Sequence, residues 1–155
     1  MSGKVTVRDA TPDDLEVLVG FNLAMARETE GKALDAATLR AGMAALLGDA
    51  SRGRTFVALV DGDVAATLML TTEWSDWRNG WFWWIQNVYV RPADRGRGLY
   101  RTLHEHVRTL AAGRSDVYGL RLYVEAENRG ARATYRAMGM EETSYVLCEE
   151  MTRKG

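Results

Sequence analysis

The sequence predicts an α/β fold: a mixed, mainly antiparallel sheet with about four helices on its faces. Three observations lead there. Thr55 to Val60, Val64 to Thr72 and Trp81 to Val90 are β-forming runs that follow one another as an antiparallel meander. The run ending at Val90 leads through Leu99, Leu103, Val107 and Leu110, which recur at helical spacing, into the alternating Leu120, Leu122 and Val124. Strand, helix and strand in that order need a crossover, and hence a parallel pair. A chain of 155 residues, 46% hydrophobic and 26% charged, is expected to form a single domain over residues 1–155 with one core.

Along the chain, Lys4 to Arg8 alternates, with Val5 and Val7 on one face, and reads as the first strand. Thr11-Pro12-Asp13-Asp14 is a helix start: a capping hydroxyl, proline in the first turn, acids near the positive end. Leu15, Leu18, Val19 and Asn22 mark a face of the first helix, which Glu28 to Gly31 breaks. Asp35 caps a second helix carrying Leu39, Met43, Leu46 and Leu47. Thr55 to Val60 is apolar on both faces, as a central strand requires. Asp61-Gly62-Asp63 turns it into the next strand. Glu73 to Gly80 reads as a polar connection bearing tryptophans. Ala131, Tyr135 and Met138 stripe a fourth helix that Gly139 ends, and Ser144 to Met151 reads as a final strand with Cys148 a small core residue.

Several classes of function are excluded. A net charge of −1 argues against a general nucleic-acid role. Cys148 is the sole cysteine, so no internal disulfide can form. The start Met1-Ser2-Gly3-Lys4 leads straight into a strand pattern without a signal-peptide pattern, and no apolar run is long enough to span a bilayer. A cytoplasmic protein is expected. His104 and His106 are two apart on a helix and do not face each other, so no metal site is expected there.

Chemistry concentrates where the strand ending at Val90 becomes a helix. Pro92 has no N–H to continue a ladder, and Arg95-Gly96-Arg97-Gly98 follows. A glycine turn into a helix start leaves backbone N–H groups pointing outward, reinforced by the helix dipole. Glycine lets a ligand approach the bare backbone, so the expected guest is an anion, a phosphate or pyrophosphate. Arg91, Arg95, Arg97 and Arg101 cluster beside it. The P-loop pattern is absent, and Arg101 stands where a dinucleotide fingerprint needs its third glycine. What fits is Arg/Gln-x-x-Gly-x-Gly/Ala, here Arg95-x-x-Gly98-x-Tyr100, with Tyr100 in place of the small residue. A second pattern, Asn128-x-x-Ala131-x-x-x-Tyr135-x-x-x-Gly139-Met140, follows in the correct order, with Met140 replacing an aromatic. On these two motifs the chain resembles the GCN5-related N-acetyltransferases, the GNAT family.

The resemblance implies a GNAT-like sheet whose parallel pair, strands four and five, splays apart around acetyl-CoA. The pantetheine arm would pair with Val88, Tyr89 and Val90, and the pyrophosphate would take N–H groups of Gly96, Arg97, Gly98, Leu99, Tyr100 and Arg101. Asn128 would hold the pantetheine region, although asparagine also favours a helix N-cap for its own sake. Tyr135 matches the position of the general acid that protonates the departing thiolate; without the motif it reads as a tyrosine packing the helix stripe. Glu73 is the candidate base, or equally a surface acid, and Gln86 a residue that orients amine or water. All five tryptophans lie between Trp74 and Trp84. They read as hinge packing, as a homodimer face, or as an aromatic acceptor wall made cation-attracting by Glu28, Glu30, Glu73 and Asp76. The implied function is transfer of acetyl from acetyl-CoA to a small-molecule or peptidyl amine. The alternatives are a non-catalytic acyl-CoA-binding or sensing module and transfer of a longer acyl chain.

Overall fold

Local signals set most of the element boundaries. In the computed structural model, which describes residues 3–154, strand β1 covers Val5–Asp9 and is followed by a 3-10 turn at Pro12–Asp14. Thr11 and Asp14 form a reciprocal capping box there, and Asp14 also takes a two-pronged bond from Arg8 at 2.8 and 3.0 Å. Helix α1, Leu15–Glu30, stops at Gly31, whose φ of 62° only glycine adopts readily. Helix α2, Ala36–Leu47, is capped by Asp35, which accepts from the Thr38 N–H at 2.9 Å.

Strands β2 (Arg54–Val60), β3 (Asp63–Ser75), β4 (Gly80–Val90) and β5 (Val117–Leu122) complete a sheet of order β1-β2-β3-β4-β5. Its pairs are antiparallel except β4–β5, which is parallel. Helix α3, Leu99–Ala112, makes the crossover. The meander, the crossover and four α-helices match the expected mixed sheet.

Two elements differ from expectation. β3 runs through Glu73, Trp74 and Ser75, so the connection shrinks to residues 76–79. Cross-strand pairing explains this: Trp74 lies edge-on to Trp81 at 4.8 Å, and Glu73 sits opposite Phe82. Residues 144–151 form no strand and are exposed, Cys148 included, which corrects the expectation of a core cysteine. A short apolar run alone does not make a strand; its backbone groups need a ladder partner.

The chain divides after Tyr123 into two compact units. In the first, the sheet is packed on both faces. Against one lies α3, with Leu99, Leu103 and Val107 on Phe56, Leu68, Leu70, Trp83 and Ile85. Against the other lie α1 and α2, with Leu18, Val19 and Met43 on Val57 and Leu59. The second unit holds helix α4, Arg129–Ala137, and the C-terminal stretch. Gly139, at φ 95°, ends that helix, and Arg132 grips Glu142 at 2.6 Å.

At the start of β4, Gly80 is a close-approach glycine. A Cβ there would stand 2.5 Å from the Tyr118 ring and 2.7 Å from the Asp116 carbonyl oxygen, beside the Trp81 N–H bond to that same oxygen. Gly80→Ala is therefore expected to destabilise the fold by about 1–3 kcal/mol, the usual range for overpacking. Denaturant titration checks it, and a stability equal to that of the parent would contradict the contact.

Candidate active site

The strand pairing leaves an opening. β4 is laddered to β5 only from Trp81 to Ile85. From Gln86 to Val90 the side of β4 that faced β5 has no strand partner among the described residues. Apart from the Val90 carbonyl, which the Arg95 side chain takes at 2.9 Å, that flank has no ladder partner and suits an extended ligand, the geometry of strand addition.

A bulge lies at the same place. Met69 pairs with Gln86 and Thr67 with Tyr89, so Asn87 and Val88 together stand opposite Leu68. Asn87 has φ 51°, a left-handed conformation that asparagine tolerates, and its amide reaches the Met69 sulfur at 3.7 Å. Val88 and Val90 then pack with the α3 cluster, whereas Tyr89 turns to the opposite face and meets Phe21 of α1 at 5.1 Å. Val88, Tyr89 and Val90 thus line the opening, and Gln86 sits at its threshold, with its side-chain amide donating to the Thr71 hydroxyl at 2.6 Å.

The strand exits into the basic bend. After Arg91, Pro92–Asp94 makes a 3-10 turn; Gly96 has φ 83° and Gly98, the residue before α3, φ 75°. No side chain caps this helix start. The first backbone bond into it runs from the Thr102 N–H to the Gly98 carbonyl at 3.0 Å. Among the described residues no protein acceptor takes the N–H groups of Gly96, Arg97, Gly98, Leu99 or Arg101. Two bare glycines, a run of amides and the positive end of α3 fit a diphosphate.

The arginines around the bend are not equivalent. Asp94 is buried, 4% exposed, and holds both Arg91 and Arg97, the latter at 3.4 Å. The sequence offers no sign that this aspartate is buried, since an acid after proline in a turn ordinarily faces water. Arg95 donates through Nε to the Val90 carbonyl at 2.9 Å and through a terminal nitrogen to Glu28 at 3.0 Å, its guanidinium 5.4 Å from the centre of the Tyr89 ring. Hydrogen bonds from Tyr89 and then Arg95 hold the Glu28 carboxyl below the usual carboxylate range. Glu28 is therefore engaged with the bend. Arg101 lies 3.9 Å from Glu105 across one helical turn.

Tyr100, the departure from the small-residue motif, is folded back along α3. Its hydroxyl meets Nδ1 of His104 at 2.8 Å, one turn on. His104 is buried, 1% exposed, and burial lowers its pKa to about 4. The i,i+4 spacing of Tyr100 and His104 was the signal for this pair.

Glu73 lies elsewhere on the sheet. It accepts from Arg121 at 2.9 Å and from the Trp84 indole N–H at 3.0 Å. Arg121 is stacked 3.6 Å over Phe82, and Trp84 lies 4.6 Å from Tyr123. The register puts Glu73 opposite Phe82, four residues before Gln86, which is about 13 Å along the strand from the threshold of the opening. Arg121 belongs to no motif and was not picked out from the sequence. The tryptophans do not gather into one wall. Trp83 and Trp81 pack toward α3, Trp74 leans on Trp81, Trp84 is on the Glu73 side, and Trp77, 90% exposed, tips the turn.

In the second unit, Asn128 caps α4 by accepting from the Ala131 N–H at 3.1 Å. Tyr135 lies on the same helix, and burial raises its phenol above the ordinary tyrosine range, so it is protonated at neutral pH. Among the described residues, no group of His, Cys, Asp and Glu side chains is placed to hold a metal ion, and no helix is long and apolar enough to cross a membrane.

Comparison with known proteins adds an independent line. Residues 22–140 match the profile of the acetyltransferase (GNAT) family. A search of the curated proteins returns no significant match. Among solved structures, a possible acetyltransferase from Clostridium difficile 630 is 41% identical, with a TM-score of 0.92 over 97% of this chain and 99% of that one. A GCN5-related N-acetyltransferase from Ralstonia eutropha JMP134 is similar at 23% identity and TM-score 0.74, covering 95% and 99%. A predicted acetyltransferase from Clostridium acetobutylicum, solved with acetyl-CoA, is similar at 18% and TM-score 0.75, covering 95% and 96%. The last two share the fold.

Proposed function

This chain belongs to the GNAT acetyltransferase family, and from that premise we propose that residues 1–155 act as one acetyl-CoA-dependent N-acetyltransferase. The acceptor is a primary amine of a small molecule or peptide, acetylated by direct transfer. The observation that carries this reading is that the unpaired flank of β4 leads directly into the amide-lined bend. One feature suits an amide-bearing extended arm, the other a diphosphate.

When bound, acetyl-CoA supplies an activated acetyl group; the rest is the work of this chain. The N–H groups from Gly96 to Arg101 take the diphosphate, with Arg97 and Arg101 beside it. Val88, Tyr89 and Val90 hold the arm by strand pairing, and Asn128 adds a bond to it. A strand N–H near Val88 donates to the carbonyl oxygen, where negative charge gathers as the amine attacks. Tyr135 gives its proton to the departing sulfur; its raised pKa keeps that proton available. Glu73 receives the amine proton by way of water, because its register places it too far for direct contact with an amine at the opening. Gln86 orients the amine or that water, and Trp84 stands on the face the acceptor approaches. Trp74 enters this reading only through its packing on Trp81.

A homodimer is part of the proposal, on the exposure of Trp77 and Trp74. So is a cytoplasmic setting, on a sequence with one cysteine and that cysteine exposed. The deciding experiment is release of free thiol from acetyl-CoA across a panel of small and peptidyl amines. Amine-dependent release is expected. Tight CoA binding with no release for any amine would favour the non-catalytic binding module instead. Competition among acyl-CoAs of increasing length would expose a preference for a longer chain.

A further inference from the structure

A bend built on two glycines with positive φ loses much conformational freedom when it is held in one shape. Something must hold it, and several ties are local: Arg91 and Arg97 to Asp94, and the Thr102 hydroxyl to the Gly98 carbonyl at 3.0 Å. These rigidify the segment without fixing where it stands on the sheet. Arg95 reaches out of it. Its Nε is bonded to the Val90 carbonyl at the end of β4, and its terminal nitrogen to Glu28, 67 residues earlier in the last turn of α1. Tyr89, packed on Phe21 of the same helix, lies under the guanidinium.

We infer that Glu28 is a positioning residue for the diphosphate bend, acting through Arg95 by strapping it to the end of α1 and to the open stretch of β4. The inference rests on the proposed acetyl-CoA site, and it assigns Glu28 to the cofactor side of the molecule. With its charge matched by a carboxylate, Arg95 serves as a strut, and the amides take the phosphates. The opposite arrangement, in which Arg95 touches the phosphates itself and Glu28 merely restrains it, predicts the opposite sign. Removing Glu28 would then free the arginine and tighten CoA.

The experiment compares the parent with Glu28→Ala, Glu28→Gln, Arg95→Met and the Glu28→Ala/Arg95→Met pair. In ligand-free protein, NMR backbone order parameters over residues 95–101 are expected to fall in Glu28→Ala, with the later turns of α3 unchanged. In turnover, KM for acetyl-CoA is expected to rise about fivefold, the scale of a partly exposed ion pair, while kcat stays within about twofold. Glu28→Gln, whose carbonyl oxygen still accepts a bond, should recover part of the loss. The double variant should be no worse than Arg95→Met alone, because the two residues act as one strap. Unchanged order parameters, tighter CoA binding, or losses that add in the double variant would each overturn the inference. If the parent failed to bind CoA, the proposed function would fall, and the order parameters would still decide whether Glu28 holds the bend.

Discussion

Replacing Tyr135 by phenylalanine is expected to lower kcat about 100-fold while leaving the affinity for CoA within about twofold. The change removes one oxygen from a half-buried residue on α4 and keeps the ring, so the fold should tolerate it. What is lost is the proton. A thiolate leaving without one carries full negative charge in the transition state, and a positioned acid is worth about 10²–10⁴ in rate. Burial raises the Tyr135 phenol above the ordinary range, so the hydroxyl is in its donating form throughout the neutral region. The measurement is initial-rate thiol release at saturating acetyl-CoA, alongside calorimetric CoA binding. A rate equal to the parent's would remove the acid assignment and return Tyr135 to helix packing. A loss of CoA affinity in proportion to rate would point to a binding role.

Acid should weaken the fold through His104 before the carboxylates titrate. An unfolded chain binds a proton at histidine near the ordinary value of 6.5, while the buried imidazole resists it down to about 4. Between those values the unfolded state holds more protons, so stability falls as pH falls. The contribution is fully present above about pH 6.5 and gone near pH 4. A shift of that size corresponds to about 3 kcal/mol, or about 10 °C in Tm for a chain of this length. The expected result is a parent Tm that drops between pH 7 and 4.5, and a His104→Gln variant whose Tm is nearly flat over the same interval. Glutamine is the informative replacement because its carbonyl can still accept from the Tyr100 hydroxyl. Asp14, held below the carboxylate range first by its bond to Arg8, acts in the same direction but at lower pH. Equal slopes for parent and variant would mean that His104 is protonated in the folded state.

Legibility followed the range of the interactions. Asp35 capping α2, Gly31 closing α1 and the Asp61-Gly62 turn are short-range devices, and the sequence names them. The anion-binding bend was legible for the same reason, since its glycines and the helix behind them are contiguous. Contacts made across the sheet were not. Glu73 read as a loop acid because only Phe82 and Arg121, reached through strand register, make it a strand residue. Glu28 read as an acceptor-side charge or an ordinary loop acid because its partner lies 67 residues away. The 144–151 stretch was the reverse case: its apolar run Tyr145-Val146-Leu147-Cys148 looks like a strand, yet it forms none among the described residues.

The doubled step at Asn87 and Val88 also bears on how this gene can drift in length. On β4 the residues packed with the α3 cluster are Trp81, Trp83, Ile85, Val88 and Val90, so the strand changes phase midway. Straightening the strand with the extra residue kept would send Tyr89 into the oily layer beneath α3 and push Val90 out toward Phe21, whereas trimming the codon for Asn87 would restore even alternation and leave both on the faces they now hold. Point substitutions can accumulate along this strand, but the loss of one residue keeps its inner and outer faces in step only at the bulge itself.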